Sequence, residues 1–298
     1  MAIFTGLLIP ILLTAGLAAS SLRGGAGIDM GDPAFEVTRV DQAHFSDLPG
    51  EPVFVLLVGH DARPGDRTAR GDALHLVGVN PAAGRATILN FPRDLWVPIP
   101  GRGTAKINAG YEFGGAALQA RTVAQLVGVN IPYVVTTGFE GFQAMVDDLG
   151  GMEVDVPMAM ADRNSGAFFS PGVTHMDGWQ ALAMARNRGL AGGDITRTTN
   201  QAHLILAALT KLRGESPTVA KTLHWLAVLL RNATLDGAGY ADLYRLGRLA
   251  LSIDPANVRS YTVPGTVGSA ANQSVVFLGG GASALFADFR DDAVLQSH

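Results

Sequence analysis

The chain of 298 residues contains no cysteine. Disulfides, thiolate metal centres and a cysteine nucleophile are therefore excluded, and a metal site must draw on oxygen or histidine, which favours a hard cation such as magnesium. Charge is scarce as well, at 16% of residues, with a formal net charge of -4. An acidic protein with no basic recognition helix and no helix-turn-helix does not suit nucleic acid as a partner. Internal repeats and heptads are absent, and no Pro/Ser-rich linker breaks the span 51–290, so one domain is expected there. After the N-terminus no apolar run is long enough for a second membrane span.

What is present begins with an uncharged apolar stretch at 3–19, whose helical rise of roughly 25 Å approaches the hydrocarbon thickness. Residues 1–22 read as a signal anchor or a signal peptide, 23–50 as a juxtamembrane spacer, 51–290 as a catalytic domain and 291–298 as a C-terminal tail. Continuous apolar or alternating runs predict strands at 53–59, 72–79, 85–91, 132–137, 152–156, 258–263 and 274–278. Helical periodicity predicts helices at 108–126, 139–149, 178–186, 194–212, 219–231, 240–252 and 282–289, with Asp177 as an N-cap and Gly150-Gly151 as a stop. The polar stretch 157–176 reads as a loop. Alternating strands and helices imply an α/β layered fold.

Chemistry-bearing residues fall at the ends of these elements. Asp61 follows the first strand, Arg70 and Asp72 open the second, Arg93 follows the third, and Lys106 precedes a helix. Arg186 and Arg188 close one helix; Asp194, Arg197 and Gln201 recur at i, i+3 and i+7 along one face of the next. If the six cations among them converge against Asp61, Asp72 and Asp194, three positive charges are in excess. An enclosed excess of that size calls for an anion, and guanidinium forks match phosphate oxygens in pairs. Phosphoryl transfer fits, because it needs positioning and charge neutralisation without a covalent nucleophile. The apolar surface of 203–209 together with 226–230 exceeds what one helical face needs, so part of it is expected to line a lipid tunnel. His75, His175, His203 and His224 share no metal-ligand spacing and read as structural; Trp96, Trp179 and Trp225 read as core or rim.

Several longer motifs carry a family resemblance: Leu-Leu-Val-Gly-His-Asp at 56–61, Arg-Gly-Asp at 70–72, Phe-Pro-Arg-Asp at 91–94 and Lys-Ile-Asn-Ala at 106–109. Gly-Phe-Glu-Gly-Phe at 138–142, the run 147–157, Asp-Gly-Trp-Gln-Ala-Leu at 177–182 and the block from Arg186 to Gln201 follow in order. In that order they resemble the LytR-CpsA-Psr family of cell-wall glycopolymer transferases, over about 53–289. The resemblance implies a single α/β/α domain with a mixed central sheet outside the cytoplasmic membrane, holding a polyprenyl tail in an apolar pocket with its pyrophosphate at the mouth. It implies Mg²⁺ or Mn²⁺ on Asp61 and Asp72, oxygens clamped by Arg70, Arg93, Lys106, Arg186, Arg188, Arg197 and Gln201, and arginines oriented by Asp194. Asp61, Asp72, Arg93 and Arg197 would form the catalytic set, moving a phosphoglycosyl unit from the lipid carrier to a hydroxyl of peptidoglycan. A polyprenyl-pyrophosphate hydrolase using the same site, and a non-enzymatic envelope regulator, are the alternative readings. The chain departs from the family at His60, where Ser or Thr is usual, at Asn200 in place of a further Arg, and at Met184 in place of Tyr. His60 is expected to be a solvent-facing neighbour of Asp61, with an added proton carrier as the alternative.

Overall fold

A computed structural model describes residues 34–41, 43, 51–61, 69–215 and 233–296. The expected anchor at 1–22 and helix at 219–231 lie outside these residues. Among the described ones no helix is long and apolar enough to cross a membrane.

The chain forms β1 (Phe35–Arg39), β2 (Val53–His60), β3 (Gly71–Asn80) and β4 (Arg85–Asn90), then a hairpin of β5 (Trp96–Ile99) and β6 (Gly103–Lys106). Helix α1 (Ala109–Val127) leads to β7 (Tyr133–Thr137), α2 (Phe139–Asp148) and β8 (Met152–Val156). Short strands β9 (Met160–Asp162), β10 (Ala167–Phe169) and β11 (Gly172–Met176) precede α3 (Gly178–Arg186) and the long α4 (Asp194–Glu215). The C-terminal part adds β12 (Ala233–Asp236), α5 (Tyr240–Ser252), β13 (Val258–Thr262), the hairpin β14 (Gly265–Ala270) with β15 (Gln273–Leu278), and α6 (Ala282–Asp292).

Seven strands make a mixed sheet in the order β12-β1-β7-β2-β3-β4-β13. Alternation along the strands divides it into two faces. Phe54, Leu56 and Val58 of β2 and Leu74 and Leu76 of β3 pack with residues of α1 and α6 in the main core. Val55, Leu57, Val77 and Ile88 point the other way, toward α4 and α5.

Three expectations are corrected. The spacer at 23–50 contributes β1, which pairs antiparallel with β7 and parallel with β12, because Phe35 and Val37 bury an apolar face that a solvated spacer would expose. The tail is no tail: Ala293, Val294 and Leu295 are buried after α6, with Ala293 and Leu295 part of the main core. The loop at 157–176 holds two hairpin pairings, β9 with β10 and β11 with β8. Helix α1 forms despite its glycines but breaks at Gly114 and Gly115, where the backbone leaves helical angles.

The glycines of two family motifs have a packing reason. A Cβ on Gly141 of α2 would lie 2.1 Å from the Ala34 carbonyl oxygen, and one on Gly178 would lie 2.3 Å from that of Gln143. Gly178 thus lets α3 start against α2 while the Asp177–Gln180 capping box closes its N-terminus. Gly141→Ala is expected to force β1 and α2 apart at a cost of about 1–3 kcal/mol. Urea unfolding measures it; an unchanged midpoint would mean the contact is slack.

Candidate functional site

The C-terminal ends of β2 and β4 and the start of β3 meet at one edge of the sheet. The first turn of α1 closes this edge from one side. Asn108 Nδ2 donates to Asp72 Oδ1 at 3.1 Å, the Tyr111 ring stacks on His60 at 5.5 Å, and Glu112 Oε2 accepts from Arg70 Nε at 2.8 Å. The end of α3 and the start of α4 approach from the other side and deliver Arg188, Asp194 and Arg197.

Asp72 is the hub. Its carboxylate pairs with Arg93 Nη1, its Oδ2 lies 3.9 Å from Arg188 Nη2, and its backbone oxygen accepts from Arg197 Nη2 at 2.8 Å. Asp194 gathers the same arginines: Oδ1 lies 2.8 Å from Arg197 Nη2, 3.5 Å from Arg93 Nε and 4.0 Å from Arg188 Nε. Arg197 is almost wholly enclosed. Burial lowers its pKa first of all, Asp194 raises it, and Arg93 and Arg188 lower it again. Three arginines contributed by two loops and a helix therefore share two carboxylates, leaving one positive charge in excess.

The other expected residues stand further out. Lys106 Nζ binds Asp94 Oδ1 at 2.7 Å, and Asp94 in turn lies 3.9 Å from Arg93 Nε. Arg70 is directed to Glu112, while its backbone N–H donates to Asp61 Oδ1 at 3.0 Å. Arg186 lays its guanidinium 5.1 Å from the centre of the Phe139 ring. Gln201 Nε2 donates to the Ala185 carbonyl at 3.0 Å, so its amide braces the end of α3. Asp94, Asn108 and Glu112 were not among the expected site residues, although two of them lie inside the Phe-Pro-Arg-Asp and Lys-Ile-Asn-Ala motifs. Counting Asp94 and Glu112, six cations face five carboxylates. The excess is one charge rather than three, because an enclosed cationic cluster without its ligand is held together by nearby acids.

Beside this cluster opens a cavity of about 1230 Å³ between the sheet and helices α2, α4 and α5. Val55, Val77, Ile88, Val135, Leu204 and Leu246 are among its walls, and Asp61, Asp72, Arg186, Arg188 and Arg197 border it. Leu204, Ile205 and Leu209 of the expected tunnel do line it; residues 226–230 lie outside the described residues. An anion cradle and a largely apolar chamber thus border on one another. The sequence pattern of the LytR_cpsA_psr family matches residues 30–285.

The chain belongs to the LytR_cpsA_psr family.

The polyisoprenyl-teichoic acid–peptidoglycan teichoic acid transferase TagU of Oceanobacillus iheyensis is 33% identical over 241 residues, 77% of this chain and 74% of that protein. Bacillus subtilis TagV superposes with a TM-score of 0.71 at 22% identity, over 84% of this chain and 100% of that one. TagT with bound octaprenyl pyrophosphate lipid gives 0.64 at 23%, over 91% and 100%. These two likenesses establish the α/β fold with its mixed sheet.

Two histidines border the site of this LytR_cpsA_psr domain. His60 is half-buried rather than solvent-facing: Tyr111 covers its ring, and burial lowers its pKa against the opposing pull of Asp61 and Glu36. His75 is enclosed in the cavity wall with Nδ1 2.7 Å from Asn90 Oδ1. Burial carries its pKa down to about 4, with Arg197 adding to the shift and the Asn90 and Gln201 hydrogen bonds opposing it. The unfolded chain binds this proton near pH 6.5, the folded one only near 4. Stability present above pH 6.5 is therefore lost as pH falls through that window, by up to about 3 kcal/mol. Denaturant titrations from pH 7 to 4 should show this slope in the wild type and a flatter one in His75→Gln. Equal slopes would place the ring in contact with water.

Proposed function

We propose that this chain transfers a phosphoglycosyl unit from a polyprenyl-pyrophosphate carrier to a hydroxyl of the cell wall, with peptidoglycan as the acceptor. The observation that carries the proposal is that Arg188 and Arg197 of the arginine cluster line one cavity with a large apolar surface, which suits an amphiphile with an anionic head and a long hydrocarbon tail. The relatedness to a teichoic acid transferase supports the same reading. Burying a prenyl chain at about 0.8 kcal/mol per CH₂ would anchor the donor strongly.

Arg93, Arg188 and Arg197 hold the pyrophosphate oxygens, exchanging their bonds to Asp72 and Asp194 for bonds to the ligand. The acceptor oxygen attacks the phosphorus that bears the glycan. A new P–O bond forms, the bond to the bridging oxygen breaks, and polyprenyl monophosphate leaves with the electron pair. The arginines favour the transition state because negative charge grows on the oxygen they face. Asp61, exposed at the mouth, takes the hydroxyl proton.

Among the described residues no group of three or more His, Asp or Glu is placed to hold a metal. Two carboxylates at one edge nevertheless suit Mg²⁺ or Mn²⁺, since magnesium keeps several waters and accepts phosphate oxygens as remaining ligands. Asp61 and Asp72 would hold it, and when bound it supplies further neutralisation of the phosphate charge. The apolar stretch at 3–19 would place the domain on the outer side of the cytoplasmic membrane, or release it there if cleaved.

The test joins mass spectrometry of the co-purifying lipid to transfer of labelled glycan onto peptidoglycan, with and without a chelator. A prenyl pyrophosphate in the cavity and chelator-sensitive transfer are expected. Glycan phosphate released to water with none on the wall would indicate hydrolysis, and no bound prenyl lipid would end the proposal.

A further inference from the structure

A histidine enclosed in the wall of an apolar chamber needs a reason to be there. His75 sits on β3 facing the cavity, 3% exposed, with Val77, Val79 and Ile88 among the neighbouring wall residues. Its polar contacts run along the sheet and then across to a helix. Nδ1 lies 2.7 Å from Oδ1 of Asn90 on β4, and Asn90 Nδ2 lies 2.8 Å from Ser260 Oγ on β13. On the opposite side His75 meets the Gln201 side chain of α4. Gln201 reaches Ala185, one residue before Arg186.

As oriented, the chain has a flaw. With the ring proton on Nδ1, His75 Nε2 and Gln201 Oε1 are buried acceptors on neighbouring side chains, and neither has a hydrogen-bond partner. Two unsatisfied acceptors in an apolar wall are costly. One rearrangement removes the cost: turn the Asn90 amide over, move the ring proton to Nε2, and turn the Gln201 amide slightly to bring its Oε1 onto that proton. An amide turned end for end and a ring proton moved between nitrogens leave the outline of the side chains unchanged. Ser260 Oγ–H then donates to the Asn90 oxygen, Asn90 N–H to His75 Nδ1, His75 Nε2–H to Gln201 Oε1, and Gln201 N–H to the Ala185 carbonyl. Every polar atom along the path is satisfied.

We propose that His75 is a positioning residue of the transferase site, which carries its proton on Nε2 and locks Gln201 so that the Arg186–Arg188 turn is held against the pyrophosphate. The inference rests on the function proposed above for its consequence, and on the polar contacts alone for its structure. Gln201 acts on the ligand through α3: its amide is committed on one side to His75 and on the other to Ala185. A loss of the lock loosens Arg188, whose guanidinium lies between Asp72 and Asp194.

Two measurements separate the structural claim from the functional one. In protein labelled with ¹⁵N-histidine, two-bond ¹H–¹⁵N correlations report the tautomer, with His75 assigned by its disappearance in His75→Gln. The Nε2-protonated pattern is expected from pH 6 to 8, whatever the enzyme's activity; an Nδ1-protonated pattern overturns the proposal. In transfer kinetics, His75→Leu should lower kcat by about tenfold, the scale of losing one buried hydrogen bond that orients a catalytic group. KM for the prenyl donor should change little, since the apolar wall is kept. His75→Gln, which retains a donor and an acceptor, should recover most of the rate. If His75→Leu is fully active, or if both variants are impaired alike, the lock is refuted. A wild type without transfer activity would fail the functional proposal while leaving the tautomer measurement to decide this one.

Discussion

Asp72→Asn is expected to lower transfer by about a thousandfold, the scale of losing a group that organises transition-state electrostatics. The substitution keeps the shape of the side chain and removes its charge. Arg93 then loses the nearest of its three carboxylates, Arg188 loses one of the two near it, and the pair that would hold Mg²⁺ is reduced to Asp61. Asn108 Nδ2 still finds an oxygen, so the α1 contact to the sheet survives. Circular dichroism and a melting curve should show a folded domain of reduced stability, because one balancing carboxylate has left the arginine cluster. Rate against Mg²⁺ concentration provides the check. Turnover within a few fold of wild type would remove Asp72 from the chemistry and leave it a structural acid.

Arg197→Met should separate activity from stability. Arg197 is the most enclosed of the three clustered arginines, and its pKa is lowered chiefly by burial, with Arg93 and Arg188 reinforcing the effect. Its charge is therefore poorly accommodated without ligand. Removing it does not strand Asp194, which keeps Arg93 at 3.5 Å and Arg188 at 4.0 Å. The ligand-free melting temperature should hold or rise, as when buried ion pairs give way to packed apolar residues. Transfer should nevertheless fall by about a hundredfold or more, since a charged hydrogen bond of roughly 1.5–3 kcal/mol is lost and a positioning contact to the Asp72 backbone goes with it. Arg197→Lys should recover only part of the rate, because ammonium keeps the charge and loses the fork. Unchanged kinetics in Arg197→Met would disperse the cluster on which the functional reading depends.

Much of the fold was legible in local signals. The apolar run of β2, the Asp177 cap and the periodicity of α3, α4 and α5 are properties of a few consecutive residues, and periodicity and caps act over that range. Strand β1 was not legible, because Phe35-Glu36-Val37-Thr38-Arg39 has too few residues to mark itself, and its pairing with β7 and β12 supplies what its own sequence lacks. The β9–β10 hairpin within 157–176 escaped for the same reason: three-residue strands become strands only when their partner is present.

The division at the site is similar. The sequence by itself determined which residue types were available: arginines, two exposed-end carboxylates, no thiol, and an amphipathic helix carrying Asp194, Arg197 and Gln201 on one face. Which charges would neutralise which was decided by tertiary structure alone. Arg70 went to Glu112, Lys106 to Asp94 and Gln201 to a backbone carbonyl, while Arg93, Arg188 and Arg197 closed on Asp72 and Asp194. Electrostatic partnership depends on separations of a few ångströms, and residues as distant in sequence as Asp72 and Arg197 acquire such a separation only when strands and helices stack. The cavity has the same origin, since its walls come from both the sheet and the helices above it, and an enclosed volume exists only between surfaces that folding has brought together.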